Sequence, residues 1–376
     1  MAVPYSRYVV GSLPWYGFLI VLGAAFAIWL AGREEKVAGL PKDTFVDLAL
    51  RVLPIGILGA RLYYVAFSWD AYREDPLSIL YIWNGGLAIY GGLIAGFLTI
   101  LFFCRKRKLP LSRVCDALIP GVAFAQALGR WGNYFNQEAY GLPFRASSPF
   151  CFFPLAILIE ENGIPVWHMA TFFYESVMDF CIFLFLLWGR RKMFSKPGDV
   201  FCFYLYLYGA GRLIVENFRM DALYAGNQTV RVSQLLSVMV CAAVFFFQIY
   251  RLQKERVWSG EPTPEGDREA HAGHGSAHMP PWMLFSCCLG AILLILLMIY
   301  CLCPNLPILN RPAAQLFFLA GSVLALTALL LANYFRYSSG GVFYANHKDE
   351  ESAVPGGAAL DGPGPGKGRE ADHHGT

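Results

Sequence analysis

A short polar segment in an otherwise apolar chain carries side chains that could bind an anion. Residues 128–141, LGRWGNYFNQEAYG, place a guanidinium group at Arg130, an amide at Asn133 and a carboxylate at Glu138. A guanidinium group donates hydrogen bonds in a planar geometry that matches phosphate or carboxylate. The residue types alone favour two interpretations equally: a binding site for an anionic lipid headgroup, or an arginine that snorkels to the membrane surface beside aromatic anchors.

A second polar group follows one predicted helix. Tyr208, Arg212, Glu216 and Arg219 are separated by four, four and three residues, so at about 100° per residue they share one helical face. One interpretation is an intrahelical ladder of ion pairs. The other is an anion site, because an arginine at the centre of a membrane helix costs roughly 2.5–3.5 kcal/mol and faces a cavity or a partner. Two arginines against one glutamate leave a positive charge that a lipid phosphate could neutralise.

The composition indicates an integral membrane protein. Of the 376 residues, 56% are hydrophobic and 15% are charged, and the mean hydropathy of +0.44 is too apolar for a soluble chain of this length. The net charge of +3 gives no footprint for nucleic acid. We expect no metal, because Cys301 and Cys303 lack a second pair, and because His271, His274 and His278 lie in a segment typical of a solvated linker.

Nine apolar stretches are long enough to cross a bilayer as helices, since a crossing takes about 17–25 residues. They comprise residues 15–31, 44–67, 87–104, 113–128, 169–188, 200–217, 232–250, 282–303 and 313–334. Lysine and arginine are concentrated in the connections after the first, third, fifth and seventh stretches. Because basic loops of this kind stay in the cytoplasm, we predict an all-α polytopic membrane helix bundle with its N-terminus outside.

This topology predicts that polar groups from five helices converge near the outer leaflet. Tyr16 lies at the start of the first stretch and Tyr90 at the start of the third, whereas Arg130 follows the fourth. Glu175 lies early in the fifth stretch and Arg212 late in the sixth. We therefore expect these side chains to meet at one face of the membrane.

The polar segment also carries a family resemblance. Residues 129–141, GRWGNYFNQEAYG, resemble the signature of the prolipoprotein diacylglyceryl transferase family, roughly G-R-x-G-N-F-x-N-x-E-x-x-G. Further motifs of that family follow in order at residues 15–17 (WYG), 59–65 (GARLYYV), 90–94 (YGGLI), 171–175 (TFFYE), 211–219 (GRLIVENFR) and 233–237 (SQLLS). The resemblance covers about residues 12–250.

The resemblance implies a seven-helix core, to which this chain adds a further segment. We predict a core at residues 1–258, a polar linker at 259–281, an extra pair of transmembrane helices at 282–337 and a disordered tail at 338–376. The extra pair carries no charge within its apolar stretches, so the sequence assigns it no chemistry.

The implied activity is transfer of the diacylglyceryl group of phosphatidylglycerol to the thiol of a lipobox cysteine in a prolipoprotein. The products are a thioether and glycerol phosphate. The partners are thus phosphatidylglycerol, the lipobox segment and the bilayer of the bacterial cell membrane, with the active site near the outer leaflet. The resemblance requires no cofactor, since the leaving group is already a phosphate ester. The sequence gives no indication of the oligomeric state.

The resemblance also suggests a role for each polar residue. We expect Arg130 and Arg212 to hold the phosphate, and Asn133 and Glu138 to orient headgroup hydroxyls or Arg130 itself. The remaining candidates are expected to face the headgroup (Tyr16 and Tyr208), to set the electrostatics of the sixth helix (Glu216 and Arg219) or to border the substrate (Gly141).

The chain departs from the family where a proton acceptor would be sought. Many members carry histidine at the position of Tyr90, and tyrosine, with an unperturbed pKa near 10, is a much weaker base at neutral pH. Tyr90 is therefore expected to donate a hydrogen bond in the catalytic site. His168 lies one residue ahead of the family's histidine and is expected to be structural. The base that deprotonates the thiol is left open among Tyr208, a carboxylate and the leaving phosphate.

A protein of another class would use similar residues. A transporter or lipid-translocating protein could line its path with the same arginines and glutamates. Such a path should distribute charge through the middle of the bilayer and often comes from two related halves. Here the charges collect at one side and no internal repeat is visible, which favours the transferase.

Overall fold

In the computed structural model, the structure describes residues 6–337 except for residues 12, 146, 195, 221–223, 226–229, 259–280 and 303–311. Within these residues the chain forms nine α-helices and three two-stranded antiparallel sheets. The helices are α1 Trp15–Glu34, α2 Thr44–Phe67, α3 Ile89–Arg107, α4 Leu111–Asn136, α5 Thr171–Lys192, α6 Asp199–Val215, α7 Val232–Trp258, α8 Pro281–Leu302 and α9 Pro312–Tyr337. The strands are β1 Tyr8–Val10, β2 Leu13–Pro14, β3 Ala156–Glu161, β4 Ile164–Met169, β5 Tyr224–Ala225 and β6 Val230–Arg231.

The nine predicted stretches all correspond to helices, and the molecule is a polytopic helical membrane protein. Helices α1, α3, α4, α5 and α7 each contain a segment long and apolar enough to cross a bilayer. Two shorter apolar segments, Cys288–Cys301 and Phe318–Ala332, lie in α8 and α9. Helix α6 has 17 residues, and α2 contains charged side chains.

The prediction of an all-α chain missed a β-hairpin between α4 and α5. Strands β3 and β4 pair from Ala156 with Met169 to Glu161 with Ile164. The two-residue turn is Asn162–Gly163, and both residues have positive φ values, 52° and 81°. An Asn-Gly pair between two short apolar stretches is a strong hairpin signal, because such a turn matches the twist of the strands.

Small residues allow α1 and α4 to pack closely. A Cβ added to Gly121 of α4 would lie 2.6 Å from the Cα atom of Ala27, and one added to Gly23 of α1 would lie 3.0 Å from the Cα atom of Ala125. The two helices run antiparallel, so the start of α1 lies beside the end of α4. This contact brings Tyr16 next to the polar segment of α4.

The connection between α2 and α3 is attached to α2 by Arg61. Its guanidinium group donates to the backbone carbonyls of Ser78, Ile79 and Gly85 at 2.7–2.8 Å and to that of Gly86 at 3.1 Å. The side chain is buried and also lies over the ring of Tyr72. Arg61 therefore organises this loop.

Buried ion pairs close the end of the bundle opposite Tyr16 and Arg130. Glu34, at the end of α1, binds Arg190 at 3.1 Å and Arg191 at 2.7 Å. Asp199, at the start of α6, binds Arg251 at 3.0 Å. We call these contacts the basic-end ion pairs, because the basic connections lie at the same end.

Helices α8 and α9 pack against α6 and α7. The buried residues of α9 recur about every three or four positions, with Ser322 and Val323 adjacent, and so form one face: Leu319, Ser322, Val323, Leu326, Leu330 and Tyr334. Most of them share one core cluster with residues of α4 to α7. The predicted tail lies outside the described residues. So does the predicted linker with His271, His274 and His278, of which only residue 281, the first of α8, is described.

Candidate active site: a pocket that ends at an arginine–glutamate cluster

A pocket of about 420 Å³ lies between α1, α2 and α4. Its walls are mostly apolar, and its polar lining residues are Tyr16, Gln126, Arg130, Asn133 and Tyr208. Along α4 the lining extends from Leu118 to Asn133, a distance of about 22 Å at 1.5 Å per residue. The pocket thus combines a long apolar part with a polar end.

Five charged residues from three segments meet at this polar end. Arg130 Nη2 lies 2.7 Å from Glu175 Oε2, and Arg212 Nη1 lies 2.7 Å from Glu175 Oε1. Arg212 Nη2 also binds Glu216 Oε2 at 2.6 Å, and Arg219 Nη1 lies 3.5 Å from Glu175 Oε1. We call these residues the arginine–glutamate cluster. Three guanidinium groups face two carboxylates in the cluster, and the buried carboxyl group of Asp179 lies one turn along α5 from Glu175.

Glu175 is the centre of the cluster. The sequence predicted that it lies with the other polar groups near the outer leaflet but assigned it no role in the site. Its side chain is 1% exposed, and both of its oxygens contact arginines. A local contact sets its position: Trp131 of α4 donates to Ser176 Oγ at 3.1 Å, and Ser176 donates to the carbonyl of Ala127 at 2.8 Å. The TFFYE motif was the available signal, because it places a carboxylate inside an apolar helix.

The predicted helical face on α6 is correct as far as Glu216. Arg212 and Glu216 form the expected pair four residues apart, but the α-helix ends at Val215 and a 3₁₀ turn, Glu216–Phe218, follows. Arg219 is extended and lies outside the helix. Its backbone pairs with Gly141 instead, so Arg219 reaches Glu175 from the following loop.

Gly141 allows this loop to approach the start of α5. A Cβ at position 141 would lie 2.7 Å from the carbonyl oxygen of Phe218 and 2.7 Å from Thr171 Cγ2. The carbonyl of Gly141 contacts His168 Nδ1 at 2.8 Å, and His168 is fully buried. Both residues therefore support the backbone around the cluster. Whether Gly141 also borders the substrate stays a prediction.

The polar segment of α4 is helical to Asn136 and then turns sharply. Gln137 and Ala139 have positive φ values of 54° and 56°. Glu138, which is exposed, accepts hydrogen bonds from the half-buried side chains of Asn133 at 2.9 Å and Asn136 at 3.1 Å, and Asn133 lines the pocket. Glu138 is thereby oriented toward the amides.

Two tyrosines border Arg130 in the pocket. Arg130 Nη2 lies 3.4 Å from the hydroxyl of Tyr208, and the ring of Tyr16 lies directly against Gly132, where a Cβ would be 2.4 Å from Tyr16 Cδ2. Tyr208 stacks on Tyr204, which donates to Gln126 at 2.6 Å. Tyr204 and Gln126 were not predicted, since neither belongs to a recognised motif.

The snorkelling interpretation of Arg130 does not fit its surroundings. Tyr134, a candidate aromatic anchor beside it, is buried in a cluster with Phe172. Trp131 donates its indole hydrogen bond to Ser176. Arg130 itself contacts Glu175 and Tyr208. The arginine is therefore part of a buried network.

Tyr90 is a predicted catalytic residue that belongs neither to the cluster nor to the lining of the pocket described above. It lies in the first turn of α3 and is 36% exposed, whereas its neighbour Ile89 lines the pocket. The guanidinium group of Arg61 binds backbone carbonyls of the α2–α3 connection.

Comparison with known proteins points to one family. The family model described as prolipoprotein diacylglyceryl transferase matches residues 8–250. A phosphatidylglycerol–prolipoprotein diacylglyceryl transferase of Enterococcus faecalis is 44% identical over 239 residues, which are 63% of this chain and 86% of the relative. Proteins of the same description from Lactobacillus acidophilus and Streptococcus agalactiae are 42% and 40% identical over 242 and 247 residues, which are 64% and 65% of this chain and 86% and 94% of the relatives.

Proposed function

The chain belongs to the prolipoprotein diacylglyceryl transferase family, and we propose that its reaction takes place where the arginine–glutamate cluster meets the pocket. The protein is a membrane enzyme that transfers the diacylglyceryl group of phosphatidylglycerol to the cysteine of a prolipoprotein. This membership sets aside the alternative of a transporter. The proposal concerns where each substrate group lies and which residues act on it.

The apolar part of the pocket is the proposed site of a donor acyl chain. Its walls come from apolar residues of α1, α2 and α4. The whole pocket, with its polar end, is about 22 Å long along α4, which exceeds one leaflet of the hydrocarbon core, roughly half of 30 Å. A chain bound there would place the glycerol backbone and the phosphate at the polar end, beside Arg130.

The cluster is the proposed phosphate site. Arg130 lines the pocket, and Arg212 is held beside it through the shared carboxylate of Glu175. The guanidinium groups of Arg130 and Arg212 favour an anion, and they act in a buried place where electrostatic interactions are strong. Arg130 and Arg212 would contact the phosphate, while Glu216 and Arg219 keep Arg212 and Glu175 in position.

The transfer itself exchanges one bond for another at a glycerol carbon. The thiol sulfur of the lipobox cysteine forms a bond to this carbon while the carbon–oxygen bond to the phosphate breaks. Glycerol phosphate leaves with the bonding electrons and, in the net reaction, takes up the proton that the thiol loses. The arginines stabilise the charge that develops on the leaving phosphate. Asn133 and Glu138 would bind the hydroxyls of the headgroup glycerol, and Tyr16 and Tyr208 would donate to the headgroup.

The proposed orientation puts the cluster near the outer leaflet and the N-terminus outside. Its support is the position of the basic connections, which include Arg33, Arg105 and Arg190, at the other end of the bundle. Positive loops remain in the cytoplasm. In this arrangement all nine helices cross the membrane, seven in the core at 1–258 and two in the segment at 282–337.

One observation carries the proposal: Arg130 lines the pocket while it shares Glu175 with Arg212. The test measures thioether formation on a lipobox peptide by the full chain in vesicles that contain phosphatidylglycerol. Arg130→Ala and Arg212→Ala should each reduce the rate by roughly 100-fold or more, as expected for a lost charge-stabilising donor. The matched control is Arg33→Ala, at an exposed site at the basic end, which should retain the rate.

Membrane insertion and thermal unfolding of each variant would be measured in parallel, so that loss of folding is separated from loss of chemistry. Full activity in both Arg130→Ala and Arg212→Ala would refute the phosphate site.

A further inference from the structure

Helices α8 and α9 lie beyond the region shared with the family, yet they are packed into the same core. The family match ends at residue 250, whereas α8 begins at Pro281. Gly290 of α8 is in close contact with Phe245 of α7, since a Cβ at this glycine would lie 2.3 Å from Phe245 Cζ. On α9, Tyr334 packs its ring against Phe203 of α6. Such packing indicates an integral part of the bundle.

Three hydrogen bonds connect this helix pair to α6 and to the turn that follows it. At the basic end, Tyr334 donates to Asp199 Oδ2 at 2.6 Å. Along the middle, Tyr206 and Thr327 share a hydrogen bond at 3.2 Å. At the other end, Tyr300 donates to Asn217 Oδ1 at 2.8 Å. Helix α6 carries Tyr208 and Arg212, so the pair is attached along the length of the helix that contributes to the proposed site.

The bond from Tyr300 lies nearest to the cluster. Asn217 directly follows Glu216 in the 3₁₀ turn, and its Nδ2 donates to the carbonyls of Leu213 at 2.9 Å and Ile214 at 3.4 Å. These are among the last carbonyls of α6, where the α-helical hydrogen-bond pattern ends. The amide can cap them only while its oxygen points the other way, toward Tyr300. The phenol, which is 3% exposed, provides the donor on that side.

We infer that Tyr300 is a positioning residue for the transfer reaction: it fixes the amide of Asn217, which holds the end of α6 and with it Glu216 and Arg212. The inference rests on the proposed role of the cluster. It assigns the additional helix pair to the enzyme's active machinery, although the pair lies outside the family match and contributes no group to the pocket described above.

Loss of this bond should loosen the cluster and leave the fold in place. The end of α6 has other partners, because Gln234 donates to the carbonyl of Leu213 at 3.3 Å and Arg231 donates to that of Glu216. The helix would therefore persist while Asn217 lost its preferred orientation. A small displacement of catalytic groups lowers the rate far more than it lowers stability.

The experiment compares two conservative variants of the full chain in phosphatidylglycerol vesicles. Tyr300→Phe and Thr327→Val each remove one hydrogen bond between the helix pair and α6. We expect Tyr300→Phe to lower kcat by about 3- to 10-fold with KM for the lipobox peptide little changed, since ground-state binding is retained. Thr327→Val should leave kcat within about 2-fold of the value for the unaltered chain. Its partner Tyr206 lies six residues before Arg212 in α6 and does not contact the cluster.

A double-mutant cycle tests whether Tyr300 acts through Asn217. If it does, Tyr300→Phe should have little further effect on kcat once Asn217→Ala is present. Equal kcat values for Tyr300→Phe, Thr327→Val and the unaltered chain would overturn the inference, as would full additivity in the cycle. If Arg212→Ala abolishes transfer while Tyr300→Phe retains it, only the positioning role fails. If Arg212→Ala is fully active, the proposed phosphate site fails as well.

Discussion

The two ends of the helix bundle use the same residue types for different purposes. At the basic end, Glu34 is bound by Arg190 and Arg191, and Asp199 is bound by Arg251 and Tyr334. These pairs connect helices that are distant in the sequence, and none of them lines the pocket. Their role is to fasten helix ends.

At the site end, the shared carboxylate of Glu175 holds arginines that border a cavity. Arg130 lines the pocket and still contacts Glu175 and Tyr208. A buried ion pair alone is weak evidence of function, because it also occurs as a structural fastening. What distinguishes the two ends is the adjoining space that a charged ligand could enter.

Neutralising the central carboxylate at each end should give the largest difference in activity between the two ends. Glu175→Gln keeps the shape but removes the charge that orients Arg130 and Arg212, so we expect transfer to fall by roughly 100-fold or more. Glu34→Gln should destabilise the protein, since breaking a buried pair costs about 3–5 kcal/mol, yet the folded fraction should remain active. The measurements are kcat per folded enzyme and thermal unfolding in the same vesicles. Equal losses of kcat would mean that the two ends do not differ in function.

A smaller effect is expected from glycine substitutions near the two ends of α1. Gly132→Ala at the site end would place a Cβ 2.4 Å from the ring of Tyr16, and such overpacking costs about 1–3 kcal/mol. We expect Tyr16 to move and the rate of transfer to fall several-fold.

The matched control is Gly32→Ala, because nothing lies within 4 Å of a Cβ at that position of α1. This substitution should raise stability by up to about 1 kcal/mol through helix propensity, with the rate unchanged. For both variants, stability is measured as the unfolding temperature and the rate of transfer as the thioether yield. A Gly132→Ala variant with normal activity would show that the position of Tyr16 is unimportant.

The smallest effect on kcat is expected for a hydrogen bond at the basic end. Tyr334→Phe removes the bond to Asp199 and should lower stability by about 1.5–3 kcal/mol, the typical net value for a hydrogen bond to a charged group. Because this site is remote from the cluster, kcat should stay the same. A marked loss of kcat would show that the two ends are coupled through α6.

The sequence predicted the helices and the identity of the main charged residues. Apolar length located all nine helices, and the four-residue spacing of Arg212 and Glu216 predicted their contact. Successive membrane helices alternate in direction, so the fourth and sixth stretches end at the same side. This predicted that Arg130 and Arg212 lie at the same end of the bundle.

Other features depend on contacts that no local pattern encodes. The rotation of α5 that turns Glu175 between two arginines is set by its packing against Trp131 and Ala127. The break of the helix before Arg219 depends on pairing with Gly141, far away in the sequence. The hairpin differs from these features, because its Asn-Gly turn is a local signal that the sequence does contain. The prediction of an all-α chain rested on apolar length alone and did not include it.

The attachment of the α2–α3 connection to Arg61 has a consequence for lipid exchange. Four backbone carbonyls between Ser78 and Gly86 accept hydrogen bonds from one guanidinium group. The α2–α3 connection therefore cannot move away from α2 without leaving a buried cation without hydrogen-bond partners. The border of the pocket at Ile89 follows directly after it. Donor lipid would therefore enter and leave past a fixed rim on this side.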